Sequence, residues 1–193
     1  FINWLRKYNG SFENKEKMVT LNELDLYSLY SSIDEVLRYL EQKDPTLAHF
    51  ARENYSCLMP WKGSPSEYGS SILYERYKSC EEEVLNVLKT TFEHTLKLEE
   101  GNGRFLDIFM NANLVVDAEK YYRTMYNISS STWNIRDKHM FDTLEYLLAY
   151  TGETSKAIVW AHNSHVGNAA ATEMGLLGEF NIGQLCREKY QDS

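Results

Sequence analysis

The sequence predicts an α/β chain in which a partial, mostly parallel sheet carries a large all-α insertion, with helix dominating the 193 residues. Three observations predict it. Apolar residues recur at helical spacing through most of residues 31–150. One compact apolar run, Lys156-Ala157-Ile158-Val159-Trp160-Ala161, is β-branched at its centre and bounded by a Gly-containing turn and polar residues, the pattern of a buried parallel strand. Strand signals occur near both ends of the chain, with a helical block between them.

In order, Phe1 to Tyr8 reads as a helix with no preceding N-cap, so the chain is expected to be an internal piece of a longer one. Lys17 to Leu21 is a short, ambiguous strand. Ser32 and Glu35 form a capping box, opening a helix whose stripe is Ile33, Val36, Leu37 and Leu40. Asp44-Pro45 restarts a helix, with Asp as cap and Pro at the first position, running to Tyr55 and stopping before Pro60. Trp61 to Ser71 is rich in Gly, Ser and Pro and reads as a loop. Long helices follow from Ile72 to Leu98, ended by Gly101-Asn102-Gly103, and from Phe105 to Tyr126. Ser129-Ser130-Ser131-Thr132 caps a third, Trp133 to Tyr150, with Gly152 as its stop. After the predicted strand come His162 to Gly167, then short helices including Ile182 to Lys189, capped by Asn181. The expected organisation is one incomplete domain, 1–193: residues of about 31–150 form the insertion, and 156–193 the strand, a polar loop and helices.

The bulk numbers exclude some functions. Twenty basic against twenty-eight acidic residues give a net charge of -8, which argues against a nucleic-acid partner, because phosphate contacts need clustered Lys and Arg. No apolar run approaches the roughly 20 residues of a membrane span, and no signal peptide opens the chain. The cysteines, Cys57, Cys80 and Cys186, are odd in number and lack CxxC spacing, so neither a disulfide framework nor a zinc knuckle is expected, and a reducing, cytoplasmic setting is.

The chemically dense point is His162-Asn163-Ser164-His165, directly after the predicted strand, where ligands of open α/β sheets bind. Two imidazoles titrate near working pH and suit proton transfer. Asn163 and Ser164 could orient water or a substrate oxygen, and Trp160 could dry the site. The same histidines could instead be surface or capping residues. A metal pair lacks its third ligand, so no metal is expected. No GxSxG, P-loop or GxGxxG occurs, so no serine elbow or bound nucleotide is indicated. Asp25 is either a second carboxylate near a strand end or the cap of the next turn. Arg136 and Asp137 lie near the start of a helix, where Asp suits the dipole, so a structural role is expected for them. His49, His94 and His139 read as helix residues, and Trp4, Tyr55, Trp61, Tyr121 and Tyr122 as core, a subset of them lining an apolar pocket.

Several stretches in order resemble the erythromycin esterase family, which includes proteins labelled as succinoglycan-biosynthesis-related. They are Leu24-Asp25-Leu26-Tyr27-Ser28-Leu29, Ala118-Glu119-Lys120-Tyr121-Tyr122-Arg123, Trp133 to Met140, Ala157 to His165, Ala171 to Gly175 and Asn181 to Leu185. The resemblance covers nearly the whole chain. It implies an α/β fold and hydrolysis of a small-molecule ester, the lactone of macrolide antibiotics in the best-known members, where it confers resistance. It implies water activated by a histidine or glutamate general base, with no covalent serine intermediate, no cofactor and no metal. The family's His-Asn-x-His motif falls on His162, Asn163 and His165, the catalytic pair expected here; Asn163, Ser164, Asp25, Arg136 and Trp160 are expected to bind substrate or support the site. The family's Gly-Glu-x-x-His-Gly stretch and a later glutamate are absent from this sequence. His162 and His165 would then position water or stabilise the oxyanion, and the piece alone is expected to be inactive. The alternative is a non-catalytic binding module of the same fold.

Overall fold

A computed structural model of the chain describes residues 1–14, 17–98, 104–127 and 131–191. The helices are α1 (Ile2–Asn9), α2 (Leu29–Lys43), α3 (Pro45–Tyr55), α4 (Pro65–Leu73), α5 (Glu81–Leu98), α6 (Arg104–Thr124), α7 (Ser131–Thr151), α8 (Asn163–Val166), α9 (Glu173–Leu176) and α10 (Ile182–Tyr190), with 3-10 turns at Ser56–Trp61 and Ala169–Ala171.

No β-strand occurs among the described residues, which overturns the expected α/β architecture with its parallel sheet. The run from Lys156 to Ala161 is irregular and belongs to no ladder. Ile158 is 97% exposed and Trp160 86%, the reverse of a buried strand. A strand needs neighbours to take up its amides and carbonyls, and composition alone does not supply them. Lys17 to Leu21 is likewise irregular.

The main core is built around α6, which packs on α2, α4, α5 and α7. Ala112, Val115 and Ala118 present a narrow buried face on α6, and small side chains there let Ile33, Val36 and Leu40 of α2 and Val84 and Val87 of α5 approach closely. Tyr55 and Leu58 close its far side. A carboxylate lies inside this apolar mass. Glu119 accepts hydrogen bonds from the Tyr68 hydroxyl at 2.5 Å, Ser79 Oγ at 3.2 Å and Arg123 Nε at 2.8 Å, while Arg123 also reaches Glu81 at 2.9 Å. Burial, offset in part by the Cys80 amide and reinforced by Glu119, pushes the Tyr68 phenol well above its ordinary range, so it remains a donor. A smaller core joins α7 to α10 through Met140, Leu144 and Ile182, with Leu24, Leu148 and Val159 against it.

The capping residues behave unevenly. Asp44 accepts from the Thr46 and Leu47 amides, as expected, with Pro45 at the first helical position. Gly152, at φ +96, ends α7 in a conformation that a side chain would disfavour. Ser32 does not cap. The helix starts a turn earlier, at Leu29, because Leu29 and Ile33 are both drawn into the core; Ser32 is buried within it, and Glu35 pairs with Arg38. The expected loop 61–71 contains α4, opened by Pro65, and the expected helix 72–98 is broken where Glu75 adopts φ +53. Gly101 to Gly103, Ser129 and Ser130 lie outside the described residues. Tyr55 is core, but Trp4, at 58% exposure, is not.

Cys57 and Cys80 form a disulfide across a sequence separation of 23, with Cα atoms 6.0 Å apart; Cys186 is free. This corrects the expectation of no disulfide. Spacing rules detect local pairs, whereas here α4 folds back and brings the 3-10 turn Ser56–Trp61 to the start of α5. Closing a loop of this length restricts the unfolded chain, so Cys57→Ser should lower stability by about 3 kcal/mol. Urea unfolding of parent and variant in non-reducing buffer measures this, and equal midpoints would show that the bond does not form.

Candidate functional site

The site grows from the first half of α7. Trp133, Arg136 and Asp137 fall on successive turns of one helix, so residues 133 and 137 share a face. Asp137 is fully buried and its two oxygens are both used. Oδ1 lies 2.8 Å from His165 Nδ1, and Oδ2 accepts the Ile182 amide at 3.0 Å. Burial pushes the Asp137 carboxyl above its ordinary range, while that amide and the His165 ring oppose the rise. The Trp133 indole lies parallel to the His165 ring, with centroids 4.7 Å apart and an interplanar angle of 1°. One imidazole is thus fixed in its plane by a carboxylate and across its face by an indole. Nδ1–H donates a hydrogen bond to the carboxylate, and Nε2 has no hydrogen-bond partner among the described residues.

The segment leading into α10 is clamped to the same helix. Trp133 Nε1 donates to the Phe180 carbonyl at 2.7 Å, Asn134 Nδ2 donates to the Gly178 carbonyl at 2.9 Å, and Asn134 Oδ1 accepts the Phe180 amide at 3.0 Å. Asn181 caps α10 through the Gln184 amide, as expected, and its Nδ2 also donates to the Ser164 carbonyl at 2.8 Å. Close approach makes Gly183 necessary: a Cβ there would lie 2.1 Å from the Gly167 carbonyl oxygen and 2.4 Å from that of Val166. Arg187 Nη1 donates to the carbonyls of Gly183 (2.7 Å) and Gly167 (3.2 Å).

His162 and His165 meet different fates. His162 is the exposed N-cap of α8; its Nδ1 accepts the Ser164 amide at 3.2 Å and lies 3.0 Å from Ser164 Oγ. No hydrogen bond joins the two imidazoles among the described residues. A shallow hollow of about 380 Å³ opens beside them, lined by Asn163, Ser164, Gly167, Asn168, Thr172 and Asn181 among others, but by neither imidazole. Trp160 stands in solvent near Phe1, their ring centroids 6.2 Å apart.

Asp25 and Arg136 are brought together from 111 residues apart in a two-point ion pair, Nε–Oδ1 at 3.0 Å and Nη2–Oδ2 at 2.7 Å. Burial works to raise the Asp25 carboxyl, but Arg136 and the Leu26 amide outweigh it and hold it below the usual carboxylate range, with a further contribution from His165. The guanidinium lies 4.6 Å from the centre of the Tyr27 ring. A second buried imidazole, His139, bonds Asp117 at 2.7 Å, and Asn113 donates to the same oxygen at 3.1 Å. His49 pairs with Glu53 and His94 with Asp44. Among the described residues no three His, Cys, Asp or Glu side chains converge as metal ligands, and no helix is long and apolar enough to cross a membrane.

A family model described as erythromycin esterase matches residues 1–193. The chain belongs to the erythromycin esterase family. Two solved structures resemble this erythromycin esterase family chain. One is a succinoglycan biosynthesis protein, 22% identical with a TM-score of 0.76; the other is a Bacillus cereus protein, 18% identical with a TM-score of 0.80. Each likeness covers 98% of this chain, which spans 44% and 45% of the respective relatives. At these identities they establish a shared fold.

Asp137 is the residue that the sequence reading undervalued, since a helix-dipole role placed it near the helix start whereas it sits nearly two turns in. The usable signal was its spacing of four from Trp133. Two outcomes test this geometry. Asp25, with its carboxyl held low, contributes stability that is complete above about pH 4, the unfolded range, and is lost as pH falls toward the folded value. Asp25→Asn should therefore flatten the acid limb of a stability–pH curve, and a parallel curve would remove the ion pair from the account. Gly183→Ala should destabilise by about 1–3 kcal/mol, because backbone carbonyls cannot yield to the new methyl; a neutral urea midpoint would contradict the packing.

Proposed function

We propose that this chain forms part of the active centre of a carboxylic-ester hydrolase, and that His165, held by Asp137, positions the attacking water. The Asp137–His165 pair carries the reading. With Nδ1–H donating to a carboxylate, Nε2 accepts a hydrogen bond from water and aims a lone pair of the water oxygen at the ester carbonyl. A histidine or glutamate general base, as the family resemblance implies, removes the water proton. The oxygen bonds to the carbonyl carbon and the carbonyl electrons move onto oxygen. The tetrahedral intermediate collapses with loss of the alcohol, which takes a proton back. His162, Asn163 and Ser164 are assigned to the substrate side, and Arg136 with Asp25 to its support. No metal or cofactor enters this scheme.

Family membership supports ester substrates, with macrolide lactones as the first to try. The chain spans less than half of its structural relatives, so the test belongs to the full-length natural protein. His165→Ala should lower kcat/KM for erythromycin hydrolysis by about 10²–10⁴-fold, the range of proton-handling groups, and His162→Ala should lower it as well. Turnover within twofold of the parent in both would reject the assignment. The shallow hollow that excludes both imidazoles favours a second reading, ligand binding without turnover; erythromycin that binds the parent and is recovered intact would select it.

A further inference from the structure

Beside the Asp137–His165 pair lies a group of phenols that the scheme above does not use. Tyr27 Oη and Tyr121 Oη are 3.2 Å apart, joining the turn before α2 to the last third of α6. Their rings meet edge to face at 5.9 Å, and Tyr121 makes the same contact with Tyr122 at 5.2 Å. The Tyr27 ring carries the Arg136 guanidinium on its face at 4.6 Å, yet Tyr27 remains 50% exposed. Only Nε and Nη2 of Arg136 bond Asp25; Nη1 makes no hydrogen bond among the described residues. Arg136 is close enough to act on the Asp137 carboxyl, and His165 on that of Asp25, so the phenols and the guanidinium lie near the buried Asp137–His165 pair.

The two hydroxyls share one hydrogen bond, so one O–H remains without a protein acceptor among the described residues. Burial, followed by the Tyr27 hydrogen bond, pushes the Tyr121 phenol well above its ordinary range. Tyr121 therefore stays protonated at working pH, and the hydroxyl pair offers a donor. The neighbouring charge is balanced: Asp25 cancels Arg136, so the patch attracts no ion in particular. Neutral oxygens suit it best.

We propose that the Tyr27–Tyr121 hydroxyl pair, together with Arg136 Nη1, is a substrate-contacting subsite that binds an uncharged hydroxyl or carbonyl oxygen of the ester, next to His165. This rests on the hydrolase reading for the word substrate but not for binding. The subsite suits oxygen-rich neutral esters, because the Asp25–Arg136 pair leaves no net charge to draw a carboxylate.

The experiment uses the full-length natural protein with Tyr27→Phe and Tyr121→Phe, which keep the rings and remove only the hydroxyls. Steady-state hydrolysis of erythromycin is measured beside equilibrium binding of erythromycin to the same variants in the His165→Ala background. The subsite requires a KM and a dissociation constant raised about tenfold in at least one phenylalanine variant, with kcat and the pH profile close to the parent's and the thermal midpoint unchanged. If the parent turns over substrate and both variants keep KM and binding within twofold, the subsite is overturned and the hydrolase reading stands. If the parent shows no turnover but the variants weaken binding tenfold, the hydrolase reading fails and the subsite stands. A parent that neither binds nor hydrolyses erythromycin overturns the subsite as stated for this ester.

Discussion

One buried carboxylate organises this molecule's polar end. Asp137 sits on α7 and reaches α8 through His165 and α10 through the Ile182 amide. Three helices are thereby tied to one another, in addition to the small apolar core that joins α7 to α10. A carboxylate taken out of water is costly unless its oxygens are satisfied, and here both are. Removing either the imidazole or the amide would leave a buried charge without its partner, a change worth several kcal/mol in comparable settings. Such an arrangement is a poor source of net stability and a good source of specificity. With the Trp133 stack and the Asn181 bond to the Ser164 carbonyl, it gives α8, a helix of only four residues, a defined place.

The helices beneath α7 make that specificity usable. α6 is held on several sides, and its own buried carboxylate, Glu119, has each interaction returned by Tyr68, Ser79 and Arg123. The Cys57–Cys80 bond closes the α4 segment over the same region. α7 therefore rests on a support with few alternative packings, and side chains projected from it are precise. From within α6, Asp117 bonds His139, so α6 and α7 are joined by a polar contact as well as by apolar packing. Positions on α7 are set from both sides, by the main core below and by α10 above.

Local chemistry was the part of this fold legible in the sequence. Asp44-Pro45 and Asn181 cap helices because capping needs only a side chain and the next few amides, and no tertiary event competes. The Ser32 box failed because burial of Leu29 and Ile33 outweighs one hydroxyl bond. The run from Lys156 to Ala161 has strand composition, but composition does not provide a partner, and the structure leaves Ile158 and Trp160 in solvent. The Cys57–Cys80 and Asp25–Arg136 pairs join distant residues, and no windowed rule could match them. At the site, the sequence singled out His162 to His165 and read Asp137 as structural, whereas the contacts of Asp137 and Trp133 with His165 arise only when α7 lies across α8.

His162 and His165 show why spacing alone does not define a catalytic pair. Residues three apart share a face only if both are helical. His162 is the N-cap, at φ -63 and ψ 150, so its side chain leaves the helix before the periodicity begins, and its Nδ1 is spent on the Ser164 amide. His165 lies one turn in, where α7 can bracket it with a carboxylate and an indole. The same residue type therefore serves as a cap at one position and as an oriented acceptor three residues later. An imidazole fixed in plane and tautomer loses little freedom on meeting water, whereas an exposed one must be ordered first. That difference in pre-organisation, rather than any difference in chemistry between two histidines, concentrates the proposed water-handling at His165.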